Sequence, residues 1–365
     1  MRSVFWISAL SIAYVYVGYP MLLVVWSRVW PARRIDAASG AGPLPRVSVV
    51  IAARNEAARL PSRLDNLLAL DYPADKLSIV VTSDASTDRT EAIALEYPGV
   101  QVISNARGGK VAAQDSAVRQ TEGEVLAFSD ANATWAPDAL RRLVEPFADP
   151  AVAYVCGRLE IVDGDGRNKE GVYWRYELGV REAESRLSSV TGGNGSIYAV
   201  RRADYVEVDP RYGHDLSLPY RMVQSGRRAV YEPAARAFEK ATPTNETEYR
   251  RKVRMFEHCW LIVLRGRMLR RQPAGYLVEL LSHRHLRYAS GLLHVVLLLA
   301  SLALVTHGVV YDVVLGGQVV LFAAAAVGVG IARYYVLVSW ATLVALWNYL
   351  RRGVPATWEA AEGTR

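Results

Sequence analysis

The 365-residue chain carries 43 Lys and Arg against 36 Asp and Glu, a formal net charge of +7, yet 51% of its residues are hydrophobic. The apolar residues are bunched into charge-free stretches at both ends, which excludes an ordinary soluble globular chain and reads as a membrane protein with a large soluble insert. Its two cysteines, Cys156 and Cys259, are too few for a disulfide framework and have no metal-ligand spacing.

Residues 3–27 contain no Asp, Glu, Lys or Arg. They exceed the roughly 20 apolar residues that cross a bilayer, and no convincing small-residue cleavage site follows. Residues 1–27 therefore read as a retained transmembrane helix. Trp30-Pro31 and Arg33-Arg34 supply an interfacial aromatic and a basic stop, and residues 35–45 are an Ala-, Gly- and Pro-rich linker. All but five Lys and Arg lie between Arg28 and Arg287, which places that region on the cytoplasmic side of the inner (plasma) membrane. The basic excess then reads as contact with anionic lipid headgroups and phosphorylated substrates rather than with nucleic acid.

The soluble domain opens at residues 47–53 with a β-branched run continuous enough for a buried parallel strand. Arg54-Asn55-Glu56 ends it, and Leu60, Leu64, Leu67, Leu68 and Leu70 mark a helix that Asp71-Tyr72-Pro73 stops. A second strand, 77–81, runs into the polar cluster 82–88 and a helix through Leu95. A third strand is expected at 100–104, and a helix at 110–119 after Gly108-Gly109. The run Val125–Phe128 delivers Asp130 and Asn132 to the end of a fourth strand. This alternation argues for an α/β domain with a parallel sheet and helices on both faces. Glu56, Asp84 and Asp130 then share one sheet edge, where open α/β sheets hold their ligands. An edge of carboxylates needs cations or hydroxyl donors, as a metal-bound nucleoside diphosphate supplies. No G-x-G-x-x-G follows the first strand, which disfavours a dehydrogenase.

The segments VSVVIAARNEAARL, DYPADKLSIVVTSDASTDRT, GGKVAAQDSAV and GEVLAFSDANATWAPDAL, followed by TGGNGSIYAVRR, HDLSLPYRMVQSGRRAVYEPAA and RRKVRM, resemble in order the motifs of family 2 glycosyltransferases. The resemblance spans roughly residues 46–260 and implies an inverting, metal-using GT-A domain, Rossmann-like with a mostly parallel sheet. It implies that Ala53 and Glu56 line a nucleoside pocket, that Asp84 accepts from the nucleoside of a nucleotide-sugar, usually UDP-linked, and that Lys110 touches the base region or a phosphate. Asp130 and Asn132 match the Asp-x-Asp motif that engages the divalent metal (Mg or Mn) and diphosphate. Asn132 departs from the usual Asp, which keeps an oxygen donor but removes one negative charge.

Asp215 matches the family's general base, here preceded by His214. One carboxylate on the acceptor hydroxyl suffices for inversion, because a neutralised UDP leaves without a strong acid. Gly193, Asn194 and Gly195 fall where the acceptor approaches, and Arg251 and Arg254, at i and i+3 of a helix, match arginines that clamp the diphosphate. Met255 stands where the family has Trp, which weakens a polymer-synthase reading.

Residues 240–271 are basic, with Phe256, Trp260, Leu261 and Leu264 on helical spacing, and read equally as an amphipathic interfacial helix or a packed domain helix. Two spans are expected near 288–310 and 313–332. Residues 334–350, with five aromatic residues at the membrane-interface type of position, are expected to lie at the interface, with a cytoplasmic tail to 365. The expected domains are 1–27, 46–260 and 261–365. The expected activity is transfer of a sugar from a nucleotide-sugar to a lipid-linked glycan or growing polysaccharide, with membrane lipids as further partners. Transfer to a polyprenyl phosphate, or a non-catalytic subunit that binds nucleotide-sugar or glycan, are the alternatives.

Overall fold

The computed structural model describes residues 1–29, 43–162, 171–240 and 244–357. The expected basic stop at Arg33-Arg34 and the tail beyond Thr357 lie outside the described residues. The chain divides into two compact units. Among the described residues one holds 1–29, 244–267 and 277–354, and the other holds 43–240, 268–276 and 355–357. After residue 240 the described chain joins the helical unit at 244, and residues 268–276 and 355–357 return to the α/β unit.

In the α/β unit the strands are β1 (Val47–Ala53), β2 (Leu77–Asp84), β3 (Val100–Asn105), β4 (Val125–Asp130), β5 (Thr134–Trp135), β6 (Val152–Val162), β7 (Tyr198–Arg201) and β8 (Arg228–Lys240). They form one sheet in the order β3-β2-β1-β4-β7-β6-β8-β5. The first four run parallel, as expected from their continuous apolar runs. β7 is antiparallel to both β4 and β6, β6 and β8 are parallel, and β5 is antiparallel to β8. β1 is buried on both faces: Val47, Val49 and Ile51 pack into one core and Val50 into the other. The helix Leu60–Leu68 covers the first face with Leu60, Leu64 and Leu67, and the helix Lys110–Arg119 covers the second with Ala117 and Val118.

Parallel register aligns the strand ends. Ala53 lies opposite Ser83, and Ala52 opposite Asp130, so the residues that end β1, β2 and β4 emerge on one edge. The turn from β4 into β5 is held from below by Asn66. Its amide oxygen accepts from the Trp135 N–H at 2.8 Å, and its amide nitrogen donates to the Trp135 carbonyl at 2.9 Å. Asn66 thus does for Trp135 what a neighbouring strand would do, and the indole is buried beside it.

In the helical unit, Arg2–Val29 is one long helix with a π-helical turn at Tyr14–Gly18. Helices Arg2–Val29, Val309–Ala326 and Gly330–Arg352 are long and apolar enough to cross a membrane, and Ala274–Leu286 with Ser290–Ala303 form a pair bent by 64°. These bounds differ from the expected ones. Charge-free windows end at Asp312 and Arg333, whereas the chain turns at Gly308 and Gly328, both with positive φ. The two charges fall inside helix starts, and the Asp312 carboxylate accepts from the Thr306 N–H at 3.2 Å. Residues 334–350 are consequently part of a continuous 23-residue helix of spanning length. Helix Ser290–Ala303 crosses Gly330–Arg352 closely at Gly291, where a Cβ would lie 2.2 Å from the Ser339 carbonyl oxygen.

Replacing Asn66 with Ala leaves both main-chain groups of Trp135 without this partner. We expect a loss of about 1–3 kcal/mol, read as a lower denaturant midpoint at unchanged slope in the purified protein.

Candidate active site

The site begins where β1 and β2 end. Arg54 donates from Nη1 to the carbonyls of Asp84 and Ala85 at 2.8 and 3.1 Å. Asn55, in the left-handed region, accepts at Oδ1 from the Thr87 N–H at 2.8 Å, and the Glu56 N–H donates to Thr90 Oγ1 at 2.8 Å. Two loops that follow separate strands are therefore laced into one wall. Ala53 is buried at its base and Glu56 is half-buried at its rim. Asp84 is buried too, and its Oδ1 accepts from the N–H groups of Gly108 and Gly109 at 2.7 and 3.0 Å. The carboxylate expected to meet a nucleoside thus also fixes the turn that launches Lys110. Gly109 has φ +91, and a Cβ there would sit 2.2 Å from the Ala356 carbonyl oxygen, so no side chain fits. Just before the helix Thr90–Leu95, whose N-cap is Arg89, Asp88 accepts from the Thr90 N–H at 2.9 Å.

Across the edge, the Lys110 ammonium pairs with Asp130 Oδ1. Burial works against that charge, but Asp130, with Asp215 and Glu239 near it, holds the Lys110 pKa above the ordinary lysine value. Gly195 lies over the pair: its Cβ position is 3.1 Å from Lys110 Nζ and 3.3 Å from Asp130 Oδ2. A larger residue there would press on both groups. Beneath the pair sits Arg63, which the sequence reading missed. It is 1% exposed, donates to Ser129 Oγ at 2.9 Å, and stacks 4.8 Å from the Trp135 ring centroid. Burial pushes its guanidinium down to about 9, with Asp130 opposing. The signal was present: Arg63 falls on the apolar stripe of Leu60, Leu64 and Leu67, where a charge is out of place.

Asn132 is exposed beside Asp130. Among the described residues no group of three His, Cys, Asp or Glu is placed to hold a metal. Asp130 and Asn132 nonetheless offer two hard oxygen donors on one short loop. Mg²⁺ and Mn²⁺ sites at phosphates characteristically use one or two protein oxygens and take the rest from substrate and water. The donor set therefore fits a cation that arrives with a diphosphate.

The loop 191–196 joins this corner to the candidate base. The Gly193 N–H donates to the Asp215 carbonyl at 2.6 Å. Asn194 is buried between the two glycines. Its amide donates to the Gly157 carbonyl at 2.7 Å and accepts from the N–H groups of Ser196 and Ile197 at 3.2 and 3.0 Å. The side chain braces the loop from inside, and the glycines on either side present its backbone.

Asp215 stands half-buried in the first turn of the helix His214–Gln224, where the helix N-terminus favours a carboxylate. Gly213 occupies the N-cap position of that helix. His214 points the other way, into the core. Its Nδ1 is 3.0 Å from Tyr198 Oη, and its Nε2 is 3.3 Å from Tyr205 Oη and 3.6 Å from Asp115 Oδ1. The Tyr205 hydroxyl donates to Asp115, and the ring meets Phe128 edge-on at 5.6 Å. Burial, with Asp115 beside Tyr205, keeps both phenols above their usual pKa and protonated. His214 therefore anchors the helix start from which Asp215 projects.

Arg251 and Arg254 lie on the helix Asn245–Arg265 of the other unit. There Glu248 holds Arg251 through two hydrogen bonds of 2.9 Å.

Comparison with known proteins decides among the chemistries this edge permits. Residues 48–208 match the model of the family described as glycosyl transferase family 2. The chain carries a family 2 glycosyltransferase domain. It is 33% identical over 168 residues to a beta-monoglucosyldiacylglycerol synthase of Synechocystis sp., a match covering 42% of this chain and 34% of that protein. It is 30% identical over 218 residues to an N-acetylglucosaminyltransferase of Mesorhizobium japonicum, covering 53% and 51% of the two chains. The match to the probable glycosyltransferase YdaM of Bacillus subtilis, 27% identical, covers 61% of this chain and 57% of that one. The chain thus spans about a third to just over half the length of these relatives. A mannosyltransferase from Pyrobaculum calidifontis, solved in complex with GDP-Man and Mn²⁺, superposes with a TM-score of 0.74 at 24% identity, over 95% of this chain and 99% of that one. It shares the GT-A fold.

His214→Ala removes a partner of the buried Tyr198 phenol, the half-buried Tyr205 phenol and Asp115. We expect about 1–3 kcal/mol of lost stability, measured by thermal or denaturant unfolding, with Tyr198→Phe costing less because it removes one hydroxyl only.

Proposed function

We propose that the chain is an inverting, membrane-associated glycosyltransferase that moves a sugar from a nucleotide-sugar, with UDP as its carrier, to a hydroxyl of a lipid-linked glycan or growing polysaccharide. The observation that carries this reading is the convergence of Lys110, Asp130 and the Gly193–Gly195 loop on the Asp215 backbone, within one α/β unit.

Ala53, Glu56 and Asp84 wall the nucleoside, and the diphosphate lies over Lys110. A divalent cation held by Asp130 and Asn132 would neutralise charge on the leaving diphosphate. Arg251 and Arg254 keep the diphosphate-binding role that their match to the family's motif implies. Asp215 takes the proton of the acceptor hydroxyl as its oxygen attacks the anomeric carbon from the face opposite the diphosphate. The anomeric carbon–phosphate oxygen bond breaks, the glycosidic bond forms with inversion, and nucleoside diphosphate and one proton are released. Gly193, whose Cβ would lie 2.1 Å from the Tyr154 hydroxyl, and Gly195, over the Lys110–Asp130 pair, hold the loop close enough for its backbone to meet the acceptor sugar.

Three helices of spanning length and the names of the curated relatives support an acceptor that resides in the membrane. The distribution of Lys and Arg supports a cytoplasm-facing site on an inner membrane protein.

The test is release of UDP from a panel of UDP-sugars, with GDP-mannose included, by purified protein in native lipid extract. We expect one UDP-sugar to turn over. Asp215→Asn should slow transfer by about 10²–10⁴-fold with little change in donor affinity. Equal release by wild type and Asp215→Asn with every donor would overturn the assignment.

A further inference from the structure

We propose that Glu239 is the second carboxylate of the metal–diphosphate corner, supplying from β8 the negative charge that Asn132 does not. The proposal rests on the reading of Asp130 and Asn132 as that corner, and it assigns a residue that no sequence motif marks.

Strand register brings Glu239 there. β5 pairs antiparallel with β8, Thr134 opposite Phe238 and Trp135 opposite Ala237. One step beyond the first pair lie Ala133 and Glu239, so β8 delivers Glu239 alongside the loop that carries Asp130 and Asn132. Alternation gives the same placement. Ala235 and Ala237 are buried in the sheet core, and Glu239 is the next residue on their side of the strand. An acidic side chain that continues an apolar row at a strand end is placed for a ligand or partner rather than for packing.

Side-chain contacts close the gap. Glu239 Oε1 accepts from Ser196 Oγ. Ser196 follows Gly195, which overlies Lys110 Nζ and Asp130 Oδ2. The Ser196 carbonyl in turn accepts from Ser129 Oγ at 3.1 Å and from Trp135 Nε1 at 2.9 Å, so the serine is locked between β4 and β5. Glu239, Ser196, Gly195 and Asp130 form one continuous patch on the edge, and the Lys110 ammonium sits in the fields of both carboxylates.

Charge makes the assignment consequential. A hard divalent cation is held by the formal charge and the number of its oxygen ligands. With Asn at 132, the loop brings one carboxylate, and Lys110 already pairs with it. Glu239 restores the count to two without altering the loop. Its oxygens reach the cation directly or through an ordered water, and in either arrangement the carboxylate orients the shell around the diphosphate.

The experiment is Mn²⁺ titration of the purified full-length protein by electron paramagnetic resonance, with UDP present, on wild type, Glu239→Gln, Asn132→Asp and the double variant, each checked for an unchanged unfolding midpoint. We expect Glu239→Gln to weaken Mn²⁺ binding by about tenfold or more. Asn132→Asp should tighten it, and the double variant should return to near the wild-type value because the charge is regained on the loop. Wild-type Mn²⁺ affinity in Glu239→Gln overturns the proposal. So does a loss that Asn132→Asp fails to restore, which would make Glu239 a brace for Ser196 alone. If wild type itself takes up no Mn²⁺ with UDP or GDP, the donor-site reading of Asp130 and Asn132 falls, and Glu239 with it.

Discussion

One ammonium facing several carboxylates is the constraint on which this site depends. Asp130 touches Lys110, and Asp215 and Glu239 lie close enough to raise its pKa. Acidic groups gathered on a sheet edge repel one another and lose hydration, so each additional one costs more than the last unless a cation sits among them. Lys110 is that cation before any donor arrives. It is held there by the Gly108-Gly109 turn, which Asp84 fixes through two backbone hydrogen bonds. The carboxylate at the end of β2 therefore positions the charge that stabilises the carboxylate at the end of β4. Arg63 adds a second positive charge from below, at a desolvation cost that its lowered pKa records. A diphosphate with its cation would exchange these internal pairings for its own.

The same arrangement separates donor chemistry from base chemistry. Lys110 starts a helix whose next turn carries Asp115, and Asp115 reaches the His214 network behind Asp215. One helix thus carries at its first residue the lysine that pairs with Asp130 and at its sixth the carboxylate beside His214, next to the proposed base. His214 contributes through position: both ring nitrogens face partners in the core, and its neighbour Asp215 is left to project from the helix start. The sequence reading left open how His214 would act on the base. The structure makes it a peg for the backbone instead of a charge beside the carboxylate.

Legibility in the sequence followed the range of the interactions. β1, β2 and β4 could be read because each is a short run largely buried on both faces, and β3, a partly exposed edge strand, because Val100, Val102 and Ile103 stand between turn residues. β6 and β8 were not read. β8 contains Pro233 in a segment where its register with β6 jumps between the Gly157 and Arg158 pairings, and proline argues against a strand when only the sequence is in view. β5, at two residues, has no period to detect. Asp84, Lys110, Asp130 and Asp215 were singled out through motifs in register. The three backbone partners of Asn194 were not legible, because they are set by the fold of its loop. The helix boundaries near the C-terminus were misread for a different reason: charge marks where a span cannot continue, whereas glycine marks where this chain actually turns.

Glu239 shows why the missed half matters most for mechanism. A two-acid motif read along one loop treats each departure, such as Asn132, as a loss of function. In three dimensions the charge at a cation site is a sum over strands, and an edge strand pairing across the loop can restore what the loop gives up. The position of β5, too short to matter for the core, then acquires a purpose: by pairing with β8 it sets which residue of that strand stands beside Asp130. A one-residue slip of this register would present Phe238 or Lys240 instead, turning the corner apolar or cationic. The Asn66 clasp on Trp135, which fixes β5 in place, is on this argument part of the donor site's electrostatics although it lies beneath it.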